Sequence, residues 1–194
     1  MERSKNTKPE DFERIKEIVR STYHNFRVSQ NGVHVAVAFF GVETQIVFNL
    51  NTYDDPQEMD ININNVAYLS GPSMAGNAFR DIKTQIFDPN SRQTVPRVVL
   101  TIMTGTPSDE IERAVKELKK DCTLMFALGL TTTFSPQTLN VASGKPRSEY
   151  LLISETFPEA NMVAQKMADK IKKSGYHYKY CSFATFYFIG TMSN

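Results

Sequence analysis

Long apolar runs, paired cysteines and an excess of either charge are all missing from this sequence. No stretch approaches the ~20 consecutive apolar residues that span a bilayer. With 22 basic and 21 acidic residues the net charge is +1, so there is no electrostatic footprint for nucleic acid or an anionic membrane surface. The two cysteines, Cys122 and Cys181, have neither CxxC spacing nor neighbouring histidines, which argues against zinc. Cys122 opens the apolar run "CTLMFALGL". A free, buried thiol is the expectation there, and a Cys122–Cys181 disulfide is the alternative. His24, His34 and His177 are scattered, as structural or solvated histidines are. Asn-x-Ser/Thr sequons are absent. So are the Gly-x-Ser-x-Gly elbow, the Gly-x-x-x-x-Gly-Lys-Ser/Thr phosphate loop and the dinucleotide fingerprint, which removes the commonest signatures of hydrolase and nucleotide chemistry. The opening "MERSKNTKPEDF" is too polar for a signal peptide. Any export signal is therefore expected to lie elsewhere or to have been removed.

What is present suits one globular domain: 194 residues, 41% of them hydrophobic, enough for a sizeable core. Pro9-Glu10-Asp11 starts a helix, with proline in the first turn and acids at the positive end of the dipole. Phe12, Ile15, Ile18 and Val19 then recur at helical spacing. "NG" at Asn31-Gly32 marks a turn, "VHVAVAFFG" a strand, and "ETQIVFNL" the return strand of a hairpin. "DDPQEMDININNV" reads as a short helix, "SGPSMAG" (residues 70–76) as a loop, and "NAFRDIKTQIF" as a further helix. "PRVVLTIMTG" is a nearly all-apolar strand, as expected when helices cover both faces. "PSDEIERAVKELKKD" has an acidic first turn and a basic last turn, with Ile111, Ala114, Val115 and Leu118 on one face. "CTLMFALGL" is a second buried strand. The irregular stretch of residues 131–148 leads to "EYLLIS". "FPEANMVAQKMADKIKK" is an amphipathic helix whose Met162, Ala164, Met167 and Ile171 are expected in the core. The pattern specifies an α/β, doubly wound, mainly parallel open sheet with one antiparallel edge strand.

The count of elements is uneven. The first helix has no strand before it, whereas the chain closes on "SFATFYFIGTMSN" (residues 182–194), a strand with no helix after it. In order and phrasing, "DFERIKEIVRS", "GVHVAVAFFG", "TQIVFNLNTYDDPQEMDININNVAYLSG", "VPRVVLTIMTG", "AVKELKKDCTLMFALGL" and "FPEANMVAQKMADKI" resemble the von Willebrand factor type A domain. That family's first, central strand precedes the first helix. Here the resemblance implies that residues 182–190 supply it from the C-terminus, after a polar loop at 1–8 and the body at 9–173. The chain would then be a circular permutant, or a piece of a tandem array whose end belongs to the next domain, the strand in that case filling a neighbour's slot by swapping.

The resemblance also points to a site. Type A domains commonly bind protein ligands through a metal-ion-dependent adhesion site: Asp-x-Ser-x-Ser after the first strand, a threonine in the second loop and an aspartate after the fourth strand. A hard divalent cation takes oxygen ligands, with carboxylates supplying charge. Here Gly190 stands at the first aspartate, Met192 and Asn194 at the two serines, Ser73 at the threonine, and Gly105 at the second aspartate. Both charged ligands are gone, and a thioether is a poor partner for a hard ion. Asp109 is expected to serve the dipole of the helix that follows it. The expectation is therefore no metal, no cofactor and no catalytic residue. The implied function is a non-enzymatic, extracellular or secreted interaction module of an adhesive or matrix protein. It would bind a protein ligand such as collagen through the loops at 70–76, 105–109 and 131–148, the last adding the cations of "SGKPRS". A spacer that self-associates by strand exchange is the second reading. A nucleotide-binding domain using "SGPSMAG" is the third, with small residues ahead of a helix as its only support.

Overall fold

Residues that alternate between two apolar faces build the sheet. In the computed structural model, which describes residues 7–68, 71–90, 95–130, 134–157, 159–177 and 185–191, one six-stranded sheet runs in the order β2-β1-β6-β3-β4-β5. The strands are β1 (His34–Phe40), β2 (Thr44–Phe48), β3 (Arg97–Met103), β4 (Leu124–Leu130), β5 (Leu151–Ser154) and β6 (Thr185–Thr191). Among the described residues only the β1–β2 pairing is antiparallel, and β2 is an edge. β6 pairs in parallel with β1, from His34↔Thr185 to Phe40↔Thr191. On its other side it pairs in parallel with β3, from Arg97↔Thr185 to Ile102↔Gly190. The C-terminal segment is thus the central strand of this chain's own sheet.

Each face carries its own core. On one, Val35, Val37 and Phe39 of β1, Val98, Leu100 and Ile102 of β3, and Phe126, Leu128 and Leu130 of β4 meet α1 (Pro9–Tyr23), α2 (Pro56–Asn64) and α8 (Ala160–His177). On the other, Ala36, Phe40, Val99, Met103, Met125 and Ala127 meet three further helical segments. These are a composite helix over residues 75–90, α5 (Glu112–Lys120) and α6 (Pro136–Ala142). The composite helix comprises α3 (Ala75–Asp81), a π-helical segment (Ile82–Phe87) and a last short turn, α4 (Asp88–Asn90). α7 (Arg147–Tyr150) precedes β5.

Local chemistry sets the helix ends. Pro9 heads α1 with Glu10 and Asp11 in its first turn. Asp55 caps α2 by accepting from Gln57 N at 2.9 Å. α2 has no basic residue in its last turn. Instead, buried Lys16 of α1 reaches the carbonyls of Asn64 and Val66 at 3.2 and 3.3 Å, placing a cation at the negative end of the dipole. Ala164, Met167 and Ile171 are buried as the spacing predicts, but Met162 is 48% exposed and Val163 takes the core position. Cys122 also departs from expectation. Its thiol is free and exposed, because the strand begins at Leu124 and Cys122 turns the chain with φ 58°. The proposed partner, Cys181, lies outside the described residues.

One polar cluster lies on the α1–α2 side. Buried Tyr23 donates its hydroxyl hydrogen bond to Asp60 Oδ1, and His24 Nε2 sits 2.9 Å from Asp60 Oδ2. Burial, then the Asp60 bond, push the Tyr23 hydroxyl well above the usual phenol range. A group whose folded value is raised contributes stability below its unfolded value and loses that contribution as pH rises past it. Urea unfolding between pH 9 and 11.5 is therefore expected to show stability falling above pH ~10, by up to ~1.4 kcal/mol per pH unit. Tyr23→Phe is expected to flatten that slope, and an unchanged slope would remove Tyr23 as its source.

Candidate functional site

In an open parallel sheet the loops at the carboxyl ends of the strands form the natural ligand edge, outside the point where the strand order reverses. Gly190 lies near that end of β6, with Phe39 and Ile102 as its register partners. Buried Gly105 follows β3 by two residues. Met192 and Asn194 lie outside the described residues.

Backbone hydrogen bonds hold three loops of this edge together. Met74 N donates to Gly41 O at 2.9 Å, and Ser108 N to Ser73 O at 2.7 Å. Gly71 packs so closely on the β1–β2 turn that a Cβ would lie 2.4 Å from Val42 Cγ2. Ser73 is buried, and its Oγ has no hydrogen-bond partner among the described residues. Two hydroxyls that sequence reasoning missed join it at this edge. Thr7, just ahead of α1, and Thr104, at the end of β3, are both buried, with their Oγ1 atoms 2.5 Å apart. The Tyr68 hydroxyl donates to Thr7 O at 2.7 Å. The only signal for Thr7 was its position one residue ahead of the helix-opening Lys8-Pro9, which says nothing of a long-range partner.

The nearby carboxylate is already engaged. Asp109 accepts from Gly76 N at 2.9 Å and Asn77 N at 2.8 Å, and Arg80 Nη2 stands 3.7 Å away. The expectation that Asp109 compensates a helix dipole is right in kind and wrong in address. It caps α3, across the edge, and α5 starts only at Glu112. Glu110, not Asp109, reaches the start of α5, accepting from Arg113 N at 2.9 Å. The same bonds bear on the phosphate reading of residues 70–76. The two backbone donors that a phosphate would use at α3 are occupied by a carboxylate.

Asp109→Ala is expected to cost ~1–2 kcal/mol, as for the loss of a helix cap. That is a fall in Tm of about 2–8 °C for a chain of this size, measurable by thermal denaturation. A shift within error would mean that the cap adds nothing.

The cations of "SGKPRS" are not at this edge. Gly144 N bonds to Met125 O at 2.7 Å, near the start of β4. Lys119, at the end of α5, donates to Val141 O and Ser143 O at 2.8 and 2.7 Å. Lys145 and Arg147 thus sit at the opposite end of the sheet. Burial, then the charge of Lys145, lower the Lys119 ammonium below its usual range.

A divalent cation fits this donor set poorly. Among the described residues, glycine stands at positions 105 and 190, Asp109 is committed to α3 and Glu110 to Arg113 N of α5, and Glu43 is exposed on the β1–β2 turn, which leaves mainly hydroxyls and main chain beside Ser73. No group of three or more His, Cys, Asp or Glu residues converges for a metal among the described residues. Likewise, none of the described helices is long and apolar enough to cross a membrane.

Comparison with known proteins agrees with this architecture. The von Willebrand factor type A domain matches residues 1–167. Matrilin-3 of Gallus gallus is 23% identical over 176 residues, covering 88% of this chain and 38% of that protein. The collagen alpha-6(VI) chain of Mus musculus is 25% identical over 179 residues, covering 90% of this chain and 8% of that one. The chain therefore spans well under half the length of either relative. Among solved structures, proximal thread matrix protein 1 from the mussel byssus, with a zinc-occupied MIDAS motif, superimposes with TM-score 0.73 at 20% identity. The match covers 84% of this chain and 41% of that one.

Proposed function

This chain belongs to the von Willebrand factor type A domain family, and from that premise we propose that it is a non-enzymatic protein-interaction module of an extracellular-matrix or adhesive protein. Its relatives include a matrilin and a collagen VI chain, which supports a matrix setting and a protein ligand such as collagen. The contact face is the carboxyl edge of the sheet, built from the loops around Gly41–Glu43, Gly71–Met74 and Thr104–Glu110. It works without a cation.

One observation carries the metal-free part. Asp109, the first carboxylate in the chain after Gly105, is spent on two backbone N–H groups of α3. Releasing it to a metal would uncap that helix. No three acidic, His or Cys side chains converge among the described residues, and hydroxyls alone give a hard divalent ion too little charge to displace its water shell.

Solid-phase binding to a panel of fibrillar and network collagens, with 5 mM EDTA or 5 mM Mg2+, is the direct experiment. Binding is expected to be equal in both buffers, and Tm unmoved by Mg2+, Mn2+ or Zn2+. Strong loss of binding in chelator would end the metal-free reading.

The placement of β6 favours a second reading. The strand lies between β1 and β3 and is last in chain order, so the β6 of a second copy presents the same ladder to the same slot. Exchange would make the domain a self-associating bead. Light scattering after chromatography distinguishes the two: exchange predicts dimers that persist on dilution, and a closed chain predicts one monomer peak.

A further inference from the structure

The face of the sheet opposite α1 and α8 carries a groove that the carboxyl edge does not use. It lies between the composite helix 75–90 and α5, has a volume of about 400 Å3, and includes Phe79, Arg80, Lys83, Arg113, Ala114 and Glu117 in its lining. Phe79 and Ala114 belong to the core beneath and form an apolar floor. The stems of the long cationic side chains extend that floor upward while their heads remain in water.

The charges around the floor are unequal in what they have left to offer. Glu117 turns to Lys120, with Nζ to Oε1 at 2.7 Å, and that bond leads in holding its carboxyl below the usual range. Lys83 is pinned by Asp121 at 2.6 Å and Asp88 at 3.2 Å. Arg80 bonds to Asn77 and is half exposed, with Asp109 at 3.7 Å. Arg113 is exposed, and among the described residues no carboxylate comes within ion-pair distance of its guanidinium. The groove's own acid is thus neutralised, Arg113 is left without a carboxylate at ion-pair distance among the described residues, and half-exposed Arg80 is held only by a long 3.7 Å pairing with Asp109. Part of one wall is the π-helical segment Ile82–Phe87, an irregularity frequent at functional sites.

We propose that this groove docks a short acidic peptide segment of a partner protein, with one aliphatic side chain on the floor of Phe79 and Ala114 and carboxylates on Arg113 and Arg80. Arginine suits this because its planar fork donates two parallel hydrogen bonds to a carboxylate. A sulfated polysaccharide fits less well. It needs a row of free cations along its length and brings no apolar group, whereas Lys83 is already paired and the floor is apolar. The site is separate from the carboxyl edge, so its test stands apart from the collagen experiment above.

The probe is a fluorescein-labelled peptide of sequence DEDLDED, titrated with the full chain at 50 mM and 300 mM NaCl and read by anisotropy. Arg113→Glu is expected to weaken binding at least tenfold, and replacing the peptide leucine by serine at least fivefold. Lys172→Glu on α8, the same charge change on the other face, is expected to have less than a twofold effect. Amide shifts in the 15N-labelled chain should cluster at residues 79–84 and 113–117, which tests the location without any variant. The proposal is overturned by equal losses in the two charge variants, by indifference to the leucine, by shifts elsewhere, or by an absence of binding at 50 mM NaCl. It is also overturned if a heparin oligosaccharide binds in an Arg113-dependent way and the peptide does not.

Discussion

Removal of residues 182–194 is expected to abolish the cooperative unfolding transition altogether. β6 is hydrogen-bonded on both sides, to β1 along His34–Phe40 and to β3 along Arg97–Ile102. Without it the sheet falls into a β2–β1 pair and a β3–β4–β5 group. Each fragment has an open edge along a strand whose residues are almost all buried in the intact chain. Native domains are stable by only ~5–15 kcal/mol, and the loss of two complete ladders exceeds that margin. The two open edges also invite association. Circular dichroism against urea should show a shallow, non-cooperative change in the truncated chain, with aggregation at micromolar concentration. Adding a synthetic peptide of residues 182–194 should restore a transition. A truncated chain that still melts sharply within a few degrees of the full one would show that β6 is dispensable.

Gly76→Ala is expected to give the largest effect of any single methyl group at the carboxyl edge, about 3 kcal/mol of lost stability. Gly76 does not occupy the left-handed backbone region, so conformational freedom is not its role. Proximity is. A Cβ would lie 2.1 Å from Glu110 O and 2.7 Å from Asp109 Oδ2. The first contact is with backbone, which cannot rotate away, so the loop from Thr104 to Glu110 would have to shift away from α3. That shift also breaks the Asp109 cap, and it pulls on the Ser108–Ser73 bond that joins two loops of the proposed contact face. A fall in Tm of about 6–12 °C is expected, together with weaker collagen binding in the folded fraction. Native-like Tm would mean that α3 and the loop can separate at little cost.

Much of the architecture was legible because its signals are local. Phe12, Ile15, Ile18 and Val19 announce α1 by spacing alone, and all four are fully buried. The apolar runs of β3 and β4 declare strands covered on both sides, which they are. The hairpin edge follows from the short link between two β-forming runs. Even the central strand could be inferred, since a helix with no strand ahead of it and a strand with no helix after it fit a single slot, and β6 does lie between β1 and β3.

The departures have a common cause in contacts between segments far apart in sequence. The acidic turn Ser108-Asp109-Glu110 looks like the start of α5, yet Asp109 is held by α3, more than thirty residues earlier. Lys145 and Arg147 look like part of the contact face, until Gly144 is found bonded to the start of β4. Residues 131–148 read as irregular because α6 and α7 are too short for periodicity to register. Cys122 reads as buried because its neighbours are, although the chain is still turning there. At the candidate site, Ser73 lies in the loop ahead of α3 and Gly105 two residues past β3. The Thr7–Thr104 contact, by contrast, joins residues 97 apart in sequence, and no local rule anticipates such a pair.

The position of β6 also bears on how the molecule is made. A ribosome delivers β1 and β3 long before residue 191, and at 5–20 residues per second the interval after β3 is on the order of 5–20 s. Throughout that time the edges of β1 and β3 wait for β6. Completion of this sheet is therefore a late event in the synthesis of the domain, and the waiting edges of β1 and β3 need shielding from association until β6 arrives.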